Sequence, residues 1–284
     1  MKHKIGIITY YLGDMPWYFS YFMHSCKYNP TIDFIIITDG VVERNDIPPN
    51  VFIYKKSIDR FKNIAAKKLG FEVSVMHPYK LCDLKPAYDF LFSEMLKSYD
   101  FWGHGDIDIM YGNIRDFMTD EILDNYDVIS SRHDYVAGTF SLYKNTDQMN
   151  KLFMQSKDYK KVFTNPEHFC FDECSNLFNE LDNGASIFDF PESIQSMTYV
   201  VKKAEVEGKL KAYFDFIIVE GVPGKIKWEK GRIIYKNKFE AMYYNLIRFK
   251  KECVRPKILR TIEDTIYFTP KRIITKKKIE IPSL

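Results

Sequence analysis

No stretch of this chain approaches the ~20 consecutive apolar residues that cross a bilayer. Its hydrophobic runs, such as Phe34-Ile35-Ile36-Ile37, are strand length, so no membrane-spanning helix is expected. The opening Met1-Lys2-His3-Lys4 leads into a strand pattern without an apolar segment or small-residue cleavage site, and a secretory signal is not expected either. Cysteine is sparse. Cys26, Cys82, Cys170, Cys174 and Cys253 form an odd set with no tight spacing, which argues against a disulfide frame and for reduced thiols in a cytoplasmic protein. His168, Cys170 and Cys174 lack a nearby fourth ligand and depart from finger spacing, so core thiols are expected there rather than zinc. There is no internal repeat and no low-complexity linker. A Gly-rich phosphate loop is also missing: Tyr10-Tyr11-Leu12-Gly13-Asp14 is not one, which weighs against a nucleotidyltransferase.

What is present is a chain of 284 residues, 46% hydrophobic and 16% aromatic, enough for one sizeable core with aromatics left over for grooves. The net charge of +3 is unevenly spread: Leu246 to the C-terminus carries eleven Lys or Arg against four acidic residues, so the remainder is net acidic. The expected organisation is therefore one domain over 1–245 and a basic extension over 246–284. Arg248-Phe249-Lys250-Lys251 and Pro270 to Lys278 interleave charge with apolar residues, a composition suited to an anionic membrane surface. Nucleic acid is not expected as a partner, because the acidic body offers no wide positive face.

The first half alternates strand and helix patterns. Ile5 to Thr9, Ile32 to Thr38 and Val51 to Tyr54 are apolar runs without alternation, as in strands buried on both faces. Helices are expected from Trp17 to Cys26, from Ser57 to Leu69 with Gly70 as its stop, and from Ala87 to Lys97. Further on, strands are expected at Tyr126 to Ser130 and Gly138 to Tyr143, helices at Thr146 to Gln155 and Asp172 to Leu181, and a hairpin turning at Lys230-Gly231. The fold class is α/β, with a mostly parallel sheet flanked by helices.

Tyr99 to Gly112 is the most informative stretch. An aromatic strand pattern reaches Gly105 and is followed by Asp106 and Asp108. Carboxylates two residues apart on an extended segment point the same way, and in open α/β sheets ligands lie beyond the carboxyl ends of strands. Oxygen ligands of this kind suit Mg²⁺ or Mn²⁺ with positions left for substrate phosphates, the chemistry of nucleotide-sugar transfer. Thr9, Tyr10, Tyr11 and Asp39 end the first two strands on the same edge, where a ring can stack on a nucleobase and a carboxylate can accept hydrogen bonds from ribose. Lys80, Asp83 and Lys85 crowd an expected helix start, a place that attracts phosphate. His104 either supports the metal pair or simply ends the strand.

Pro78-Tyr79-Lys80-Leu81-Cys82-Asp83-Leu84-Lys85-Pro86-Ala87-Tyr88, then Tyr99-Asp100-Phe101-Trp102-Gly103 and Asp106-Ile107-Asp108, resemble a family of small bacterial GT-A glycosyltransferases from capsule, O-antigen and exopolysaccharide loci. Ile114-Arg115-Asp116-Phe117, Asp120-Glu121-Ile122-Leu123 and Gly138 to Asn145 extend the likeness, which runs from about Lys4 to Tyr244. The resemblance implies a GT-A fold, a nucleotide-diphosphate sugar donor (a UDP-sugar foremost), Mn²⁺ or Mg²⁺ on Asp106 and Asp108, and donor contacts from the Lys80 to Lys85 segment. The expected reaction is hexosyl transfer to a lipid-linked glycan acceptor, and the basic tail places it at the cytoplasmic face of the inner membrane. GT-A enzymes commonly complete the metal site with a late histidine; Asn245 stands in the comparable stretch here. Asp172 or Glu173 is the expected acceptor-side carboxylate, with Asp134 as competitor, since a general base must reach the acceptor hydroxyl. A non-catalytic glycan- or membrane-binding protein on the same scaffold is the other reading.

Overall fold

The computed structural model describes residues 2–43, 47–255 and 262–275. Its centre is a seven-stranded sheet in the order β3-β2-β1-β4-β7-β6-β8. The strands are β1 (Ile5–Tyr11), β2 (Ile32–Thr38), β3 (Val51–Lys55), β4 (Phe101–Gly105), β6 (Val128–Ser130), β7 (Phe140–Lys144) and β8 (Ala212–Phe214). β1 pairs in parallel with both β2 and β4, β2 with β3, and β6 with β8; β7 runs antiparallel to β4 and β6. The expected mostly parallel α/β sheet is the architecture found.

The unbroken apolar runs have a direct cause. Ile5, Ile7, Phe34, Ile36 and Phe101 face one core, where α1 (Phe19–Lys27) packs; Ile8, Tyr10, Ile35, Ile37 and Trp102 face the other, with Phe61 and Ala65 of α2 (Ile58–Leu69). Successive side chains of each strand thus enter opposite cores, and neither face can be polar. Ser57 caps α2 by accepting the Arg60 N–H, and Gly70 at φ +80° ends it as expected. Where Ala87 to Lys97 predicts one helix, the chain forms 3₁₀ turns over Pro78–Ala87 and two short helices, Tyr88–Leu91 and Ser93–Leu96. Phe92 between them leaves helical geometry as its ring enters the second core.

A three-stranded layer, β5 (Ile109–Tyr111), β13 (Tyr243–Asn245) and β9 (Ile218–Val219), lies beyond the end of β4. A second antiparallel sheet runs β12-β11-β10-β14-β15, with β10 (Ile226–Glu229), β11 (Arg232–Tyr235), β12 (Phe239–Ala241), β14 (Thr265–Phe268) and β15 (Ile273–Thr275). The β10–β11 hairpin turns at Lys230 (φ +46°) and Gly231 (φ +83°), the double left-handed geometry a two-residue turn requires.

The boundary at 245/246 does not coincide with a break. β14 pairs with β10, and Ile266 and Phe268 are buried in the same core as β1 and α1. Their apolar alternation needs a sheet partner, which the body supplies. Lys276, Lys277 and Lys278 lie outside the described residues. Among the described residues no helix is long and apolar enough to cross a membrane.

Candidate active site

β1, β2, β4 and β6 end on one edge of the sheet, and β7 begins there. Asp106 and Asp108 follow β4 on this edge, but on a bend rather than in extended strand. Their proximity therefore comes from the turn between β4 and β5 and not from a period of two. Each carboxylate meets an ammonium. Lys85 Nζ lies 2.7 Å from Asp106 Oδ1, and Lys250 Nζ lies 2.6 Å from Asp108 Oδ2. Asp106 is the more open of the two, its side chain 30% exposed against 10% for Asp108. Burial, then the neighbouring Asp106 charge, pushes the Asp108 carboxyl above its usual range.

Lys85 is buried and binds three segments at once. Besides Asp106 it donates to the Gly138 carbonyl at 2.8 Å and lies 3.5 Å from Asp172 Oδ2. Gly138 in turn donates its N–H to Glu173 Oε1 at 3.0 Å. A Cβ on Gly138 would stand 2.5 Å from Asp172 Oδ2 and 2.8 Å from Glu173 Cγ, so only glycine allows this approach. His104 lies beneath the same carbonyl, 3.2 Å from it; burial, then the Lys85 charge, pushes its pKa down to about 3 and keeps it neutral. Burial raises both acids: Asp172 well above its ordinary range, and Glu173 to about 7. Asp172 is buried with Oδ1 unpartnered, whereas Glu173 is half-buried.

Several expected roles are corrected. Asp172 and Glu173 do not open a helix: residues 171–176 are turns, and the helix is confined to Phe178–Asp182. Ser175 and Asn176 have positive φ, which helical geometry excludes. Lys80 is fully buried, with its ammonium on Asp83 at 2.8 Å, the Val162 carbonyl at 2.7 Å and the Glu167 carbonyl. Asp83 also accepts the Phe169 and Phe171 N–H groups at 3.0 and 2.8 Å. All three Lys80 donors are used, so Lys80 and Asp83 form a brace for residues 162–171 and not a donor contact; of the three expected residues only Lys85 reaches the site. Tyr10 turns into the second core and donates to the Lys56 and Ser57 carbonyls at 3.0 and 2.9 Å, so it does not stack on a base. Thr9 donates to the Gly105 carbonyl at 2.7 Å and closes the β1–β4 edge. Asp39 is exposed and accepts the Gly13 N–H at 2.8 Å. Tyr11, on the other side of β1, is half-buried and within electrostatic reach of Lys250 and Asp108.

Asn245 pairs in register with Ile109, and Leu246 N–H donates to the Asp108 carbonyl at 2.8 Å, so the late segment does arrive beside Asp108. The buried Asn245 amide oxygen, however, accepts the Ile247 N–H at 2.9 Å and caps its own turn. Lys250, expected only as part of a basic tail, is the group that reaches Asp108, and it also sits 5.4 Å over the Tyr18 ring. Neither Lys250 nor Tyr18 carries a local sequence signal for this place. Asp134, the competing carboxylate, is spent on a bidentate pair with Arg132 at 2.8 and 2.7 Å. Cys170 and Cys174 are buried thiols, as expected.

The donor chemistry fits a hard divalent cation. Asp106 Oδ2 and Asp108 Oδ1 have no hydrogen-bond partner among the described residues, and four carboxyl groups here face two ammonium groups. A second trio, Asp83, His168 and Asp172, brings its ligand atoms within 4.8 Å of one another. There Asp83 is already paired with the Lys80 ammonium at 2.8 Å, and Asp172 lies 3.5 Å from that of Lys85.

A family of unknown function (DUF6625) matches residues 7–277. No curated protein matches the chain. Among solved structures, a galactosyltransferase, LgtC, in complex with donor and acceptor sugar analogues aligns over 76% of this chain and 75% of its own, at 12% identity and TM-score 0.33. An active-site mutant of LgtC aligns over 56% and 66% respectively, at 15% identity and TM-score 0.31. Mouse xyloside xylosyltransferase 1 aligns over 78% and 88%, at 8% identity and TM-score 0.35.

The Lys80 brace is testable. Lys80→Ala leaves the Asp83 carboxylate buried without its counter-charge, an expected loss of about 3–5 kcal/mol in urea unfolding. A loss under about 0.5 kcal/mol, the range of ordinary surface changes, would return Lys80 to the list of ligand contacts.

Proposed function

The chain belongs to the family of unknown function DUF6625, and we propose that it is a GT-A-type glycosyltransferase. It would move a hexosyl unit from a nucleotide-diphosphate sugar, a UDP-sugar foremost, to a hydroxyl of a lipid-linked cell-surface glycan precursor. One observation carries this reading: four carboxyl groups and two ammonium groups converge at the carboxyl edge of a parallel sheet, where α/β proteins bind ligands. Asp106 and Asp108 would hold Mn²⁺ or Mg²⁺ through their free oxygens. Such an ion, when bound, neutralises the charge that grows on a leaving diphosphate.

The chain's own groups divide the remaining work. Lys250, 25% exposed on the short helix Phe249–Glu252, can exchange the Asp108 carboxylate for a phosphate oxygen. Lys85 is too enclosed to move and holds Asp106 and Gly138 in place. Glu173, with one oxygen fixed by Gly138 N–H, accepts the proton of the acceptor hydroxyl with the other. As that proton leaves, the acceptor oxygen bonds to the anomeric carbon and the bond to the diphosphate breaks. Tyr11 flanks the donor. Along the C-terminal segment, exposed Ile247, Val254 and Ile274 are interleaved with Arg248, Lys251, Arg255, Lys271 and Arg272, a composition that supports peripheral contact with anionic lipid at the cytoplasmic face of the inner membrane.

Nucleotide release from UDP-sugars with Mn²⁺ tests the proposal. Wild-type protein is expected to release UDP, and Asp108→Asn to do so at least about 100-fold more slowly with an unchanged melting temperature. Undiminished release would remove the acidic pair from the chemistry. Because a base acts only when deprotonated, kcat/KM for transfer is expected to rise with pH through about 7, the Glu173 value, and to level off above it. A rate flat from pH 5 to 9 would exclude Glu173. Co-sedimentation with phosphatidylglycerol vesicles, weakened by salt and by Lys251→Glu with Arg272→Glu, checks the membrane contact; retention unaffected by both changes would refute it.

A further inference from the structure

A cleft of about 410 Å³ shares the loop between β6 and β7 with this centre. Its walls come from the loop between β6 and β7, the helix Phe178–Asp182, the segment after β8 and the end of β9. The lining is aromatic and polar together. Phe216, 47% exposed, packs edge-on to His133 at 5.7 Å, and Tyr135 packs against Phe178 at 5.3 Å. Between these rings lies the buried Arg132 guanidinium, 4.5 Å over Tyr135 and 5.3 Å from the Phe216 centroid.

The charge of the cleft is definite. Arg132 is tied to Asp134 by two bonds and to Glu220 by a third at 2.7 Å, and Asp182 stands 3.6 Å away. One guanidinium thus serves three carboxylates. A carboxylate or phosphate entering here meets an excess of like charge. His133, Asp134 and Asp182 bring their ligand atoms within 4.8 Å of one another, but both Asp134 oxygens are spent on Arg132, which leaves that trio one carboxylate short for a metal. What fits is a ring with an apolar C–H face for the exposed Phe216 and hydroxyl groups for the Asp182 and Glu220 carboxylates and the Asn179 amide.

The cleft and the reaction centre are held by one loop. Arg132 and Tyr135 line the cleft at its start; Gly138, near its end, carries Lys85 and Glu173. The Tyr243 hydroxyl lies 2.7 Å from both Ser131 Oγ and Thr139 Oγ1, clamping the two ends of the loop together. Inside the loop, Ser130 Oγ donates to the Tyr135 carbonyl at 2.8 Å and accepts the Ala137 N–H at 3.1 Å. Such a clamp fixes a ligand in the cleft relative to Glu173.

We propose that this cleft is the acceptor subsite and that it selects a non-anionic saccharide, neutral or amino-bearing, over uronic acids and phosphorylated sugars. The assignment as acceptor subsite rests on the glycosyltransferase reading; the saccharide selectivity stands on the cleft alone. Saturation-transfer NMR on the full-length protein with lactose, the glucosamine disaccharide and digalacturonate separates the two. Signal is expected from the first two and none from the third. Phe216→Ala, at an exposed position, is expected to weaken lactose binding about fivefold, and Asp182→Lys to admit digalacturonate. Asp108→Asn is expected to leave lactose binding unchanged, so a failure of nucleotide release does not mimic a failure here. Absence of saccharide binding, equal binding of digalacturonate by the wild type, or binding indifferent to Phe216→Ala would each overturn the proposal.

Discussion

The enclosed ammonium of Lys85 is the constraint on which the site depends. It draws together Asp106 after β4, Gly138 before β7 and Asp172 in the turns at 171–176. These segments share no local sequence relation, and two of them are acidic, so without the cation they would repel one another in a poorly hydrated space. Gly138 completes the arrangement because any side chain there would strike Asp172 and Glu173. The elevated pKa values of Asp172 and Glu173 follow from the same enclosure. Burial that makes a carboxyl reluctant to ionise also makes it a competent proton acceptor near neutral pH.

A contrast between the two lysines gives the site its working asymmetry. Lys85 is immobile and structural, whereas Lys250 comes from the C-terminal segment, is partly exposed and holds Asp108 through a single contact. The three-stranded layer delivers it: pairing of Asn245 with Ile109 places the following residues over the Asp108 turn. The C-terminal segment is therefore part of the site and of the core, with Phe268 and Ile266 anchoring it. The Tyr243 clamp extends this logic to the loop at 131–139, which links the aromatic cleft to Glu173.

Much of this was legible in the residues, and the exceptions share a cause. Apolar runs at Ile5 and Ile32 encode strands buried on both faces, Ser57 and Gly70 bracket α2, and Lys230-Gly231 turns its hairpin; each is a local signal. Asp106 and Asp108 do stand directly after a strand, although the bend they occupy differs from the extended geometry expected. Lys80 and Asp83 misled because a buried ion pair and a phosphate site use the same residue types, and only burial tells them apart. Lys250 went unrecognised because its partner lies 142 residues away. Asp172 and Glu173 carry a helix-like pattern that the left-handed residues 175 and 176 override.

The central claim is that the acidic pair and its two ammonium groups form a cation-assisted diphosphate site. Calorimetric titration of UDP into the protein, with and without Mn²⁺, addresses it without requiring knowledge of the sugar or the acceptor. The account predicts Mn²⁺-dependent binding that falls at least about tenfold when Asp106 and Asp108 are both replaced by Asn. UDP binding of equal strength in that variant, or no binding by the wild type in Mn²⁺, would contradict it.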